Sequence, residues 1–340
     1  MVDMVQPRRQ SCEVVWQESC CPLCGGTRWA GVEDAAGLAT GAGRCSVVQC
    51  HACSLCVTNP RPTAETIGQF YGGYPPHQRC GLTPARRRKA TSRLDALRFW
   101  RTRDPQRHGV PWHGQGRLLD FGCGAGAFLE LMHLKGWQVM GLDTRDDVVD
   151  RIRAELRLPA LAGTLPHPQL APESFDVVTL WHSLEHVHHP IEVLREVWRL
   201  LAPGGRILVA VPNIRSGPRR WFGPAWRGWS LPHHLIHFTP DTLRRMVETA
   251  GFQIECVRLP RNASWLRQSA EAARQGPGRQ GWRRWLTWRF LARQAANYAY
   301  WTGQSDEVLL TAVKPPAATD VVSGTLRVPG GAAHGACRIH

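Results

Sequence analysis

The stretch Leu118-Leu119-Asp120-Phe121-Gly122-Cys123-Gly124-Ala125-Gly126-Ala127-Phe128-Leu129-Glu130 constrains the fold more than any other part of the chain. An apolar run, three glycines at alternate positions and a second apolar run read as a buried strand, a tight turn and the start of a helix. A doubly wound α/β sheet opens a nucleoside pocket in this way, at the carboxyl end of its first strand. Without a Cβ, Gly122, Gly124 and Gly126 can bend the chain sharply and let a ligand approach the helix N-terminus. Asp120 then aims an anion at the same space.

A lone glycine loop is weak evidence, so the neighbouring strand carries the next test. Trp137-Gln138-Val139-Met140-Gly141-Leu142-Asp143 is an apolar strand that ends in a carboxylate about 20 residues further on, where both hydroxyls of a ribose need an acceptor. Asp120 decides which nucleoside. Dinucleotide sites usually keep an apolar residue there, facing a pyrophosphate that a carboxylate would repel. A tail bearing an ammonium and a sulfonium suits the carboxylate instead, and S-adenosylmethionine has that tail. On these residues the chain resembles the class I S-adenosylmethionine-dependent methyltransferases. The resemblance implies an α/β fold: a doubly wound, Rossmann-like seven-stranded sheet with an antiparallel last strand.

Later motifs extend the resemblance. Ser174 to His182 reads as the fourth strand, apolar on both faces as a central parallel strand should be, and it leads into Ser183-Leu184-Glu185-His186-Val187. In the family the residues after this strand line the methyl-transfer site, and Leu-Glu-His is a frequent form of it. The resemblance therefore assigns the cofactor cradle to Asp120, Gly122, Cys123, Gly124, Gly126 and Asp143, with Trp181 and His182 at the fourth strand tip. It also places Thr164 and Leu165 after the third strand, beside the adenine. Pro203-Gly204-Gly205 before the strand Ile207 to Val211 is a structural feature of the family, which further places Phe252 to Leu259 and Glu307 to Val313 as an antiparallel edge pair.

Eight of the twelve cysteines fall between Cys12 and Cys56, a clustering that reads as metal binding in a reducing compartment rather than a disulfide scaffold. Cys21-Pro22-Leu23-Cys24 and Cys50-His51-Ala52-Cys53 are two CxxC knuckles separated by 25 residues, the spacing of a small zinc ribbon. Cys20, Cys45 and Cys56 are alternatives within reach. Four thiolates would close the site, so the zinc is expected to be structural, and about 40 residues need it to fold. The ribbon, the turn Asn59-Pro60-Arg61-Pro62 and the aromatic helix around Phe70 and Tyr71 resemble a bacterial methyltransferase group associated with polysaccharide, lipid or natural-product pathways.

The expected layout is a disordered N-terminus over 1–15, the ribbon over 16–60, a helical linker over 61–110, the methyltransferase domain over 111–314 and a disordered tail over 315–340. Within the catalytic domain, 213–238 is expected to form a lid loop and 262–304 a helical insertion, as a substrate-side cap or a partner contact.

Methyl transfer from a sulfonium needs an aligned acceptor, exclusion of water and, for a hydroxyl or acidic carbon, a proton acceptor. The candidates are His182, His186, His234 and His237, with Glu185 able to orient one of them. His234 and His186 are the preferred pair. The expected acceptor is a small molecule or a lipid- or sugar-linked group, methylated on oxygen or carbon, as in the ubiquinone-pathway O-methyltransferases that the catalytic core resembles.

The formal charge of +15 raises nucleic acid as a partner, and an RNA methyltransferase that grips RNA with its ribbon and the basic segment Arg86 to Arg103 is the alternative reading. Only three of the 42 basic residues are lysines, so an arginine-rich composition accounts for the charge equally well. The fourth strand is followed by Trp181-His182-Ser183-Leu184, which lacks the Asn/Asp-Pro-Pro-Tyr usual for exocyclic amine methylation of bases. No apolar run is long enough to span a membrane, which leaves peripheral contact open, and a cytoplasmic location is expected.

Overall fold

The computed structural model describes residues 13–32, 45–71, 80–90, 109–275 and 281–316. Residues 1–12 of the expected N-terminal disordered segment, 317–340 of the expected tail and 91–103 of the basic segment Arg86 to Arg103 lie outside these residues.

The catalytic unit is built on one seven-stranded sheet. Four parallel strands come first in the chain: β6 (Arg117–Phe121), β7 (Gln138–Asp143), β8 (Ala160–Ala162) and β9 (Phe175–Trp181). β10 (Leu201–Pro212) continues the parallel set beside β9, and the antiparallel β12 (Gln253–Arg258) and β13 (Glu307–Val313) close one edge. The spatial order is β12-β13-β10-β9-β6-β7-β8. The strand order reverses between β6 and β9, so the carboxyl ends of β6, β7 and β9 border one crevice.

The central strands are apolar because helices cover both faces of the sheet. Every residue of β9 is buried, and the helix Pro190–Leu200 lays Val193, Leu194, Val197 and Leu200 on the sheet. Each such side chain stabilises the fold by about 1.5–3 kcal/mol. The helix Pro240–Thr249 starts at a capping box in which Thr239 and Thr242 exchange hydrogen bonds, then buries Leu243, Met246 and Val247.

One expectation shifts in extent. The strand expected over Ile207 to Val211 begins at Leu201, because Leu201 already pairs with Phe175 ahead of a register shift to Arg206. The helix after β7 is α-helical over Asp146–Arg151 and then widens into a π-helical turn over Ile152–Leu156.

The N-terminal cysteine segment folds into a small antiparallel sheet of β2 (Trp29–Gly31), β3 (Ser46–Cys50) and β4 (Cys56–Asn59). β1 (Trp16–Gln17) pairs separately with β5 (Arg61–Pro62). A fourth strand joins the ribbon sheet from far along the chain: β11 (Ile236–His237), at the end of the lid, pairs with Val57 and Cys56 of β4. Leu55 and Val57 share one core with Leu119, Leu180, Leu235 and Phe238, so ribbon and catalytic unit are packed together.

The lid is ordered. Its helix Gly217–Phe222 starts where Ser216 accepts a hydrogen bond from the Arg219 N–H, and Trp226 and Trp229 are buried. The insertion forms helices Ala263–Gln275 and Arg289–Trp301, and its Leu266, Ala270, Leu286 and Ala296 pack on these tryptophans.

Candidate active site

Asp120 lies in β6 opposite Gly141 of β7 and Thr179 of β9. It is 2% exposed and accepts a hydrogen bond from Thr179 Oγ1 at 2.7 Å. Burial, and next to it the Asp143 charge, push its carboxyl up to about 7 against the Thr179 hydrogen bond. A cationic ligand beside it would favour the carboxylate.

The turn after β6 has left-handed backbone at Gly122, Gly124 and Gly126, with φ of 73°, 49° and 73°. A Cβ at Gly122 would run into Ser183 Oγ, whereas one at Gly124 would point into open space. Cys123 is buried with its Sγ against Gly141, where only a glycine fits. Asp143 props up the same turn: Oδ2 accepts the Gly124 N–H at 2.9 Å and Oδ1 the Arg145 N–H at 3.0 Å. Each oxygen keeps a further lone pair for a ribose hydroxyl.

S-adenosylmethionine therefore has a site it fits. Two acidic groups stand on adjacent strands, the turn between them has no Cβ at Gly122, Gly124 or Gly126, and the buried indole N–H of Trp181 has no partner among the described residues. Trp181 packs edge-on against Phe128 at 5.1 Å. After β8, Leu165 is buried in the core and Thr164 is exposed.

The histidine candidates meet beside this crevice but fall into different environments. His182 has left-handed backbone and lies with its ring 3.5 Å from Glu185, 3.4 Å from Glu307 and 4.7 Å between centroids from Trp265. Burial would lower its pKa, but the two carboxylates outweigh burial and raise it to about 10. The carboxylates thus favour the imidazolium, which has no lone pair for a proton, so His182 suits the proton-acceptor role least of the four histidines.

His237 is buried on β11, and its Nε2 lies 3.1 Å from Thr58 Oγ1. That hydroxyl donates to the His234 carbonyl at 2.6 Å, so His237 Nε2 is the donor to it. The ring thus ties the lid to the ribbon.

His186 and His234 face each other with centroids 4.7 Å apart. His186 Nδ1 lies 3.0 Å from the His233 carbonyl and 3.0 Å from Tyr71 Oη. His234 Nδ1 lies 2.8 Å from the Gly228 carbonyl. A carbonyl only accepts, so Nδ1 carries the proton in both rings and Nε2 keeps its lone pair. Burial lowers the pKa of both, that of His234 further because His186 and His237 are neighbours. Beside them Glu185 is fully buried, with neither carboxylate oxygen hydrogen-bonded.

Sequence reasoning missed several residues of this arrangement. Thr179, Ser183, Tyr71, Thr58 and Glu307 each touch a site residue, yet a lone Thr, Tyr or Glu carries no motif. Arg61 lies in the Asn59-Pro60-Arg61-Pro62 turn; its Nη1 donates to the His188 carbonyl at 3.2 Å, and His188 Nε2 meets the Pro62 carbonyl at 2.9 Å. The Asn-Pro-Arg-Pro turn thereby clamps the loop that bears Glu185 and His186.

In the ribbon, Cys21, Cys24, Cys50 and Cys53 bring one sulfur each to within 4.8 Å of the others. The alternatives Cys20, Cys45 and Cys56 are outside this group. Among the described residues no helix is long and apolar enough to cross a membrane.

Comparison with known proteins agrees with this geometry. A family model described as a methyltransferase domain matches residues 81–257. A ubiquinone biosynthesis O-methyltransferase from Aeromonas salmonicida is 33% identical over 153 residues, which cover 41% of this chain and 63% of that protein. A probable S-adenosylmethionine-dependent methyltransferase from Mycolicibacterium smegmatis is 32% identical over 41% of this chain and 52% of its own. The chain thus spans between half and two thirds of the length of these relatives. A solved S-adenosylmethionine-dependent methyltransferase from Mesorhizobium loti aligns at 22% identity with a TM-score of 0.44, covering 65% of this chain and 99% of that one. With the family model spanning more than half of its residues, the chain belongs to the methyltransferase-domain family, the class I S-adenosylmethionine-dependent methyltransferases.

Proposed function

We propose that this protein transfers the methyl group of S-adenosylmethionine to an oxygen, or an acidic carbon, of a small-molecule, sugar or lipid-linked acceptor. The observation that carries the reading is the adjacency of two half-sites at one sheet edge: Asp120, the glycine turn and Asp143 on one side, and the Glu185, His186 and His234 cluster on the other. When bound, the cofactor supplies an electrophilic methyl carbon. Asp120 holds the ammonium end of its tail and Asp143 the ribose.

His182, pinned between Glu185 and Glu307, sets the wall between cofactor and acceptor. The acceptor's proton passes to the bare Nε2 of His186 or His234. A neutral imidazole is the form this step needs, and burial keeps both rings neutral. Tyr71 and the lid tryptophans keep water away. The ubiquinone-pathway relative acts, by its name, on oxygen, and we extend that atom to this chain.

The four ribbon cysteines hold a structural zinc ion in this reading. Their chemistry fits: four sulfurs converge with no open position.

Calorimetry with S-adenosylmethionine should show micromolar binding, and turnover on a panel of phenolic, sugar and lipid-linked hydroxyl compounds should fall at least about 100-fold in H186A/H234A with cofactor affinity kept. Full turnover in that variant would remove the base assignment. Absence of cofactor binding would remove the reading as a whole.

A further inference from the structure

We infer that Glu185, His186 and His234 form a second metal site, distinct from the ribbon, that takes a divalent first-row ion such as Zn2+ through one oxygen and two imidazole nitrogens. One ligand atom from each residue lies within 4.8 Å of the other two. Three independent features of the cluster point to an ion.

The first is the carboxylate. Glu185 is fully buried and both its oxygens are without a hydrogen bond. Its nearest ion-pair contact, His182 Nδ1 at 3.5 Å from Oε1, is long and engages one oxygen only. That ring is shared with Glu307 at 3.4 Å, so the buried Oε2 of Glu185 meets no cation among the described residues, and an ion at this cluster would supply one.

The second is the orientation of the rings. Metal-bound histidines almost always donate their distal N–H to a carbonyl or carboxylate, which fixes the tautomer and aims the free nitrogen at the ion. His186 donates to the His233 carbonyl at 3.0 Å and His234 to the Gly228 carbonyl at 2.8 Å. Outer partners of the kind an ion requires are thus in place on both rings.

The third is the donor set. Two imidazoles and one carboxylate suit Zn2+, Fe2+ or Co2+ better than Mg2+ or Ca2+, and leave a tetrahedral ion one open position. The ligands come from two segments, the turn after β9 and the lid, which Leu235 N–H to the Glu185 carbonyl at 2.8 Å locks together. An ion there would add a further cross-link between them.

The inference goes beyond the methyl-transfer reading: the ion-free cluster keeps its lone pairs for the proton, and an ion bound on these nitrogens takes them, so occupancy of this site is expected to suppress turnover.

The test is a Co2+ titration of the full chain after chelation and removal of chelator, with bound metal counted after gel filtration. Two equivalents per chain are expected: one with intense thiolate-to-metal charge transfer, from the cysteines, and one with weak ligand-field absorption alone. E185Q and H234A should each weaken the second equivalent by more than the roughly 10–100-fold that loss of an outer partner costs, while the charge-transfer band persists and reports that the variants fold. Saturation of the native protein at one equivalent would overturn the inference, as would two equivalents that both show charge transfer. Retention of both by E185Q and H234A would do the same. Failure here leaves cofactor binding untouched, so it is distinguishable from failure of the methyl-transfer reading.

Discussion

At the scale of single residues, Asp120 is where charge decides ligand. Its carboxyl is held up to about 7 by burial, so the free protein carries a largely neutral group below that pH and a carboxylate above it. A cationic tail binds the carboxylate. Affinity for S-adenosylmethionine should therefore climb as pH rises through about 7 and level off above, whereas D120N should lose roughly 10–100-fold in affinity and show a flat profile. Calorimetry between pH 6 and 8.5 checks both; a native affinity that ignores pH would refute the ammonium contact. The histidines were equivalent as letters and are not equivalent in space. His182 is made a cation by two carboxylates, one of them Glu307 from 125 positions away in the chain, and nothing local could signal that pairing.

At the scale of elements, the β6 turn is tuned by what stands over it. Gly122 has φ of 73° and faces Ser183, so G122A adds backbone strain of about 1–2 kcal/mol and a clash on top. Cofactor binding should be lost in G122A, with a melting temperature lowered by several degrees. G122A/S183G should recover part of the melting temperature because it removes the clash and keeps the strain.

The mouth of β13 offers a second test. Asp306 is buried, accepts the Trp226 indole N–H at 2.8 Å and the Ser216 hydroxyl at 3.3 Å, and has its carboxyl raised to about 7, chiefly by burial. A carboxyl whose folded pKa exceeds its unfolded value favours the fold while protonated. That stability is present below about pH 4 and is lost as pH rises to about 7, by up to about 1.4 kcal/mol per unit. D306N should flatten this slope in urea titrations run from pH 4.5 to 8. An unchanged slope would show that Asp306 is ionised throughout.

At the scale of the whole molecule, the ribbon and the lid are one structure. β11 closes the ribbon sheet, Thr58 Oγ1 donates to the His234 carbonyl at 2.6 Å, and the Thr58 N–H to that of Leu235 at 3.0 Å. Loosening the cysteine cluster should therefore be felt 180 residues away. In C50S/C53S, or after strong chelation, amide exchange over 234–238 should speed up at least about tenfold while β6 and β9 stay protected. Protection of 234–238 that survives loss of the thiolates would mean that the catalytic unit alone orders the lid.

The α/β class, the glycine turn, the two strand-tip carboxylates and the CxxC pair were legible in the sequence because each is a local pattern with a short-range cause. Apolar periodicity dictates strand and helix, absence of Cβ permits the turn, and CxxC spacing brings two thiols to one side of a tight turn. The lid's strand addition to the ribbon, the sorting of four histidines into a cation, a tie and a facing pair, and the unbonded carboxylate of Glu185 were decided only by tertiary structure. Strand partners, proton positions and the charge state of a buried group depend on what surrounds them, and those surroundings come from segments far apart in the chain.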